Sequence, residues 1–115
     1  MMMVVYVAGP ISRGNMDENI RKAIHVADLL ANSGFSPIIP QLAFFWQLLR
    51  PREYESWMEM DFALIKKCDA LLRIPGESKG ADREVQYAMS LPIPVVYNIN
   101  DLETVRKNSP LHCSR

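Results

Sequence analysis

Four short apolar runs alternate with stretches whose apolar positions recur every three or four residues. Residues 4–8, Val-Val-Tyr-Val-Ala, form a continuous β-rich run that suits a strand buried on both faces, and Gly9-Pro10 ends it. Over residues 16–33, Ile20, Ala23, Ile24, Ala27, Leu30 and Ala31 recur at helical spacing. Asn15 is placed to cap this helix, Asp17 and Glu18 fall in its first turn, and Gly34 supplies the stop. Residues 35–39 read as a second strand closed by Pro40. Residues 41–50 fit a short helix or an ordered loop equally, and Pro51 breaks them. The spacing predicts a helix over 52–67 with the stripe Met58, Asp61, Phe62 and Ile65. A third strand follows at 70–74, then a loop at 75–80. Next come a helix over 81–90 carrying Ala81, Glu84, Val85 and Ala88 on one face, a fourth strand at 93–97 and a helix over 101–107. The last residues are expected to fray.

Strands that alternate with helices, each strand short and apolar, predict an α/β fold: a three-layer, Rossmann- or flavodoxin-like open parallel sheet of four or five strands flanked by helices. Ligands of such folds sit beyond the carboxyl ends of the strands. Chemistry is therefore expected at loops 9–15, 40–52, 75–80 and 98–100.

Composition narrows the function classes. The 115 residues suit one domain, with 49% hydrophobic and 23% charged residues. Lys+Arg and Asp+Glu number 13 each, so the formal net charge is zero. A polymeric nucleic acid, whose binding draws on phosphate neutralisation, is not expected as a partner of such a chain. Cys68 and Cys113 have neither metal-site nor disulfide-framework spacing, and they read as reduced thiols of a cytoplasmic protein. The longest apolar-rich stretch, 42–49, falls far short of the roughly 20 residues that cross a bilayer, so no membrane association is expected. No His/Cys/Asp/Glu group has ligand spacing and no Ser has a paired His; neither a metal, a cofactor nor a hydrolase triad is expected. His25 and His112 read as structural or solvated.

Several residues remain that could act on a small molecule. Gly9-Pro10-Ile11-Ser12-Arg13-Gly14-Asn15 follows the first strand and opens the first helix. It is either a plain turn or a site for one phosphate or carboxylate, built from N–H groups, a hydroxyl, a guanidinium and a helix N-terminus. Asp61 interrupts an apolar stripe. It is either paired with a neighbouring backbone group or Arg52, or held partly neutral as a proton donor. Glu84 is either an early-turn capping residue or a nucleophile that the helix N-terminus keeps ionised. Read together, the two acids suggest a protonated Asp61 and a charged Glu84, the division of labour of glycosidic chemistry. Tyr6 needs a partner for its hydroxyl if buried. Phe44, Phe45, Trp46 and Trp57 fit an aromatic wall against a flat base, or a satellite hydrophobic cluster.

Three segments, YVAGPISRG at 6–14, EMDFALIKKCDALL at 59–72 and ESKGADREVQYA at 77–88, resemble the nucleoside 2-deoxyribosyltransferase superfamily, which includes base-exchanging transferases and deoxynucleoside monophosphate hydrolases. The chain is similar to a small bacterial and phage branch of it. The resemblance implies that Glu84, in the stretch Gly80, Glu84, Ala88, attacks C1′ of the sugar. It implies that Asp61, with Asp69 as the second Asp of its motif, protonates or holds the departing base, and that Tyr6 orients Glu84. Gly9, Ser12, Arg13, Gly14, Ser78 and Gly80 would hold substrate, including a 5′-phosphate, and Trp46 would face the base. Pro10 stands where the hydrolases often have a serine. The transferases often add a C-terminal Asn or carboxylate from a neighbouring subunit, for which Asn98 and Asn100 are available. The implied assembly is a homodimer or larger, with the segment 44–46 suited to its interface. The alternative is a non-catalytic nucleotide-binding or sensor module of the same fold.

Overall fold

The computed structural model describes residues 2–108; Cys113 and His112 lie outside the described residues. The elements are β1 (Val4–Ala8), α1 (Met16–Asn32), β2 (Ser36–Ile38), a 3-10 turn (Pro40–Ala43), α2 (Phe44–Leu49), α3 (Tyr54–Ile65), β3 (Ala70–Arg73), α4 (Lys79–Ser90), β4 (Val95–Val96) and α5 (Ile99–Lys107). The four strands are all parallel and run in the order β2-β1-β3-β4. This is the α/β open sheet expected from the sequence, with four strands. Residues 41–50 resolve into the 3-10 turn and α2.

Strand alternation divides the core in two. Val5 and Val7 of β1, with Ala70 and Leu72 of β3, pack under α1 and α5 against Ala23, Leu30 and Leu102. Tyr6 and Ala8, with Leu71, point to the other face, where Ile65 of α3 and Ala81 and Ala88 of α4 cover them. Because successive side chains point to opposite faces, this period-two split aims the Tyr6 hydroxyl at α3 and α4. Of the stripe read along α1, Ala23 and Leu30 are buried, whereas Ile24 is exposed. A helix resting on a sheet by one face has room for little more than the i, i+3, i+4, i+7 row.

The chain goes from β1 to β2 on one side and from there to β3 on the other. A crevice therefore opens where β1 and β3 end side by side, at the topological switch point. Local sequence fixes its walls. The Asn15 side chain accepts from the Glu18 N–H at 3.0 Å and caps α1. Asn19 Nδ2 donates to the carbonyls of Ile11 (3.1 Å) and Arg13 (2.7 Å), riveting loop 9–15 to the helix it precedes. Across the crevice, Ser78 Oγ accepts from the Ala81 N–H at 3.0 Å and caps α4. Gly9 is required by close approach: a Cβ there would lie 2.3 Å from Ile74 Cγ1, a side chain itself packed in the core.

Candidate active site

At the floor of the crevice the Tyr6 hydroxyl donates to Glu84 Oε2 at 2.6 Å. Tyr6 is fully buried and Glu84 is only 5% exposed. The Asp61 carboxyl, delivered by α3, is close enough to both to act on their ionisation. Three residues from three elements thus converge: Tyr6 by strand alternation, Asp61 by the α3 stripe, and Glu84 by the inner face of α4 that also buries Ala81 and Ala88. Asp61 is not paired with Arg52, whose Nε donates instead to Ser56 Oγ at 2.9 Å.

The electrostatics differ from the division drawn from the sequence. Ser78, not a later residue, caps α4, so Glu84 sits in the second turn rather than the first. The helix dipole acts mainly on the terminal turn, and burial prevails over it here. Burial and the neighbouring Asp61 carboxyl push Glu84 up to about 8, against the lowering effect of the Tyr6 hydrogen bond and the Arg73 guanidinium. Burial also raises Asp61, offset by hydrogen bonds with Glu84 and Tyr6. Burial and the two carboxyls raise Tyr6, so it stays a neutral donor. Both acids are therefore desolvated, and together they hold a proton at neutral pH. The contrast of one acidic and one basic environment does not hold; the two carboxyls form a coupled pair.

Above Glu84 lies a cleft of about 680 Å³; Asp61 and Tyr6 sit behind Glu84 and are not among its lining residues. Gly9, Ser12, Arg13, Ser78, Gly80 and Glu84 line it, as do Phe44, Tyr54 and Trp57. Gly14 does not reach the wall; it occupies a left-handed turn (φ +78°) with open space around it. Trp46 is also set back. It packs edge-on against Trp57, ring centroids 5.0 Å apart, so it buttresses the aromatic wall while Trp57 faces the cleft. Trp57 is held by its indole N–H, which donates to Gln47 Oε1 at 2.5 Å. At the mouth Arg13 is bound to Glu77 at 3.0 Å, a pair that joins the two loops across the opening. Asp69 stays out of the site: it accepts from the Val4 N–H at 2.8 Å and closes the lower end of the sheet. Asn98 caps α5, accepting from the Asp101 N–H at 2.8 Å.

Two residues near the site carry no signal in the sequence pattern. Gln41 is fully buried and donates weakly to the Val7 carbonyl at 3.4 Å, while its Oε1 has no partner. Arg73 ends β3 with a guanidinium that is 11% exposed. A Pro-Gln pair and a strand-end Arg are too common to stand out; only the tertiary setting distinguishes them. Among the described residues no group of three or more His, Cys, Asp or Glu is arranged to hold a metal ion, and no helix is long and apolar enough to cross a membrane.

The model of a domain of unknown function, DUF4406, matches residues 3–97. The chain belongs to the DUF4406 family. No curated protein matches it. Among solved structures, the DUF4406 domain is similar to a 2-deoxyribosyltransferase from Leishmania mexicana, with a TM-score of 0.63 and 22% identity over 83% of this chain. It is also similar to the 2-deoxyribosyltransferase of the psychrotolerant bacterium Bacillus psychrosaccharolyticus, with a TM-score of 0.60 and 20% identity over 80% of this chain. The domain spans 63% and 69% of those two chains. Its fold is thus nucleoside 2-deoxyribosyltransferase-like, as the three sequence segments imply.

Proposed function

We propose that the protein is an N-glycosidase that removes or exchanges the base of a 2′-deoxynucleoside or its 5′-monophosphate. The observation that carries this reading is the buried Tyr6–Glu84 hydrogen bond with Asp61 beside it, at the floor of an aromatic-walled cleft. The 2-deoxyribosyltransferase-like fold supports it.

One proton within the carboxyl pair is the number this chemistry needs. When it sits on Asp61, Glu84 is a carboxylate whose charge the Tyr6 hydroxyl steadies, and Asp61 is an acid. Glu84 Oε then attacks C1′. The C1′–N bond breaks, its electron pair goes to the base nitrogen, and Asp61 delivers the proton to the leaving base. Water or a second base next attacks C1′ of the glycosyl-enzyme and gives its proton to Asp61, and the Glu84 carboxylate departs.

Phe44 and Trp57 would flank the base. Ser12, Arg13, Ser78 and Gly80 would face the sugar or its phosphate. A 5′-phosphate must compete with Glu77 for Arg13, because the two are paired at the mouth. We extend the proposal to a homodimer through α2, where Phe45, Trp46, Leu48 and Leu49 leave a contiguous apolar surface exposed. Light scattering of the L49E variant against the unaltered chain tests that part.

Incubation with the four common 2′-deoxynucleosides and their 5′-monophosphates, with free base read by chromatography, tests the activity. Release of base by the unaltered chain and at least a thousandfold loss in Glu84→Ala, with the fold retained, is the expected result. Thermal stabilisation by a nucleotide without turnover would instead favour a binding module.

A further inference from the structure

Tyr54 opens α3, at the place where the cleft wall meets the helix that carries Glu84. We propose that Tyr54 is a substrate-binding residue of this site: its hydroxyl, over Gly80 and beside the hydroxyl of Ser78, donates to an oxygen that the sugar carries away from C1′. This deepens the glycosidase reading and, in its choice of ligand, rests on it.

Placement comes from the contact between α3 and α4. A Cβ on Gly80 would lie 3.3 Å from the Tyr54 hydroxyl and 4.0 Å from Ser78 Oγ, so both oxygens gather above the bare backbone of the first turn of α4. Met58 Sδ, 3.7 Å from the same point, fills the space on the α3 side. Tyr54, Ser78 and Gly80 all line the cleft. The start of α3 has no side-chain cap, so the helix end by itself does not fix Tyr54. Arg83 of α4 does. Its guanidinium lies 5.6 Å from the centre of the Tyr54 ring and 5.7 Å from that of Phe62, and a bidentate pair with Glu55 at 2.8 and 3.0 Å holds it there.

The chemistry of these groups selects an oxygen acceptor. An arginine has donors only, so Arg83 cannot take the Tyr54 proton. Ser78 Oγ accepts from the Ala81 N–H, which leaves its own proton for another acceptor. Two hydroxyl donors thus stand side by side. Gly80 precedes Glu84 by four residues, so the two follow one another on one face of α4, roughly 5–6 Å apart. With C1′ at the Glu84 carboxyl, a deoxyribose ring extends a comparable distance to its 3′ and 5′ oxygens, and one of them reaches the Tyr54 and Ser78 hydroxyls. Trp57, three residues beyond Tyr54 on α3, lines the same cleft, so sugar and base would lie against successive turns of that helix.

The test is calorimetric binding to the full chain carrying Glu84→Gln, which removes the nucleophile and so prevents turnover. The probes are 2′-deoxyadenosine and thymidine, each with its 3′-deoxy and 5′-deoxy analogue. Adding Tyr54→Phe keeps the ring beside Arg83 and deletes the donor. It is expected to weaken binding of the nucleoside about tenfold, to weaken one analogue equally and to leave the other unchanged. The unchanged analogue is the one that lacks the oxygen held by Tyr54, so the two arms separate the 3′ from the 5′ position. An equal loss on the nucleoside and both analogues would mean that Tyr54 acts through packing alone and overturns the proposal, as does the absence of any loss. Failure of every probe to bind overturns it together with the glycosidase reading. If the unaltered chain releases no base while the calorimetric pattern holds, the glycosidase reading fails and the Tyr54 subsite stands.

Discussion

The Tyr6 hydroxyl and Glu84 Oε2, 78 positions apart in sequence, meet at 2.6 Å, both side chains buried. A hydrogen bond to a charged acceptor is worth about 1.5–3 kcal/mol, and here it opposes the burial that favours a neutral Glu84. Tyr6→Phe keeps the ring and deletes the donor. The expected outcome is a drop in kcat/KM of roughly 10- to 100-fold, a Glu84 midpoint that moves upward, and an unchanged circular dichroism spectrum. Activity equal to that of the unaltered chain would remove Tyr6 from the mechanism.

Activity should follow the ionisation of Glu84 in the free protein. The pair must keep one proton, so with Glu84 pushed up to about 8, kcat/KM is expected to fall about tenfold per pH unit above that value, where the last proton leaves. Initial rates of base release between pH 5.5 and 9 check this. A rate that does not fall above about 8 is incompatible with a carboxyl pair that must keep one proton to release the base.

Stability should follow the same proton. A carboxyl whose folded value lies above its unfolded one binds its proton more tightly in the native state. Its contribution is full below about 4.5 and is lost as pH rises towards about 8. Glu84→Gln cannot ionise, so its Tm should exceed that of the unaltered chain at pH 8.5. The gap should narrow steadily and close near pH 4.5. Calorimetry at four pH values reads this directly, and a constant offset would contradict it.

Gly76 sits at φ +122°, and a Cβ there would approach Pro10 Cγ to 2.5 Å. The contact joins the two loops that flank the cleft. Gly76→Ala combines backbone strain with a clash against a rigid ring, so a loss of about 2–3 kcal/mol is expected in urea unfolding. Because Arg73 grips the Gly76 carbonyl, base release should fall by more than the unfolded fraction explains. Stability within about 0.5 kcal/mol of the unaltered chain would show that the loop relaxes freely.

The sequence alone determined the order of strands and helices, the parallel sheet they imply and the caps Asn15 and Gly34. These depend on local periodicity and on backbone chemistry that each residue carries with it. The stripe interrupted by Asp61 and the inner face holding Glu84 were legible for the same reason. Tertiary structure decided the rest. A five-residue apolar run says nothing about which face Tyr6 takes, and only pairing with β3 under α3 and α4 turns its hydroxyl to Glu84. The charge on Glu84 likewise depends on what surrounds it: α4 begins at Lys79, so Glu84 lies in its second turn, beyond the main reach of the dipole, and desolvation beside Asp61 raises it. Trp57 of α3 rather than Trp46 of α2 lines the cleft, because Trp46 packs edge-on behind it, a contact between two helices that local sequence does not specify. Arg73 carries no local mark at all, since the carbonyls of Ile74 and Gly76 and the Asp82 carboxylate that it bonds come together only when β3, the loop and α4 are assembled.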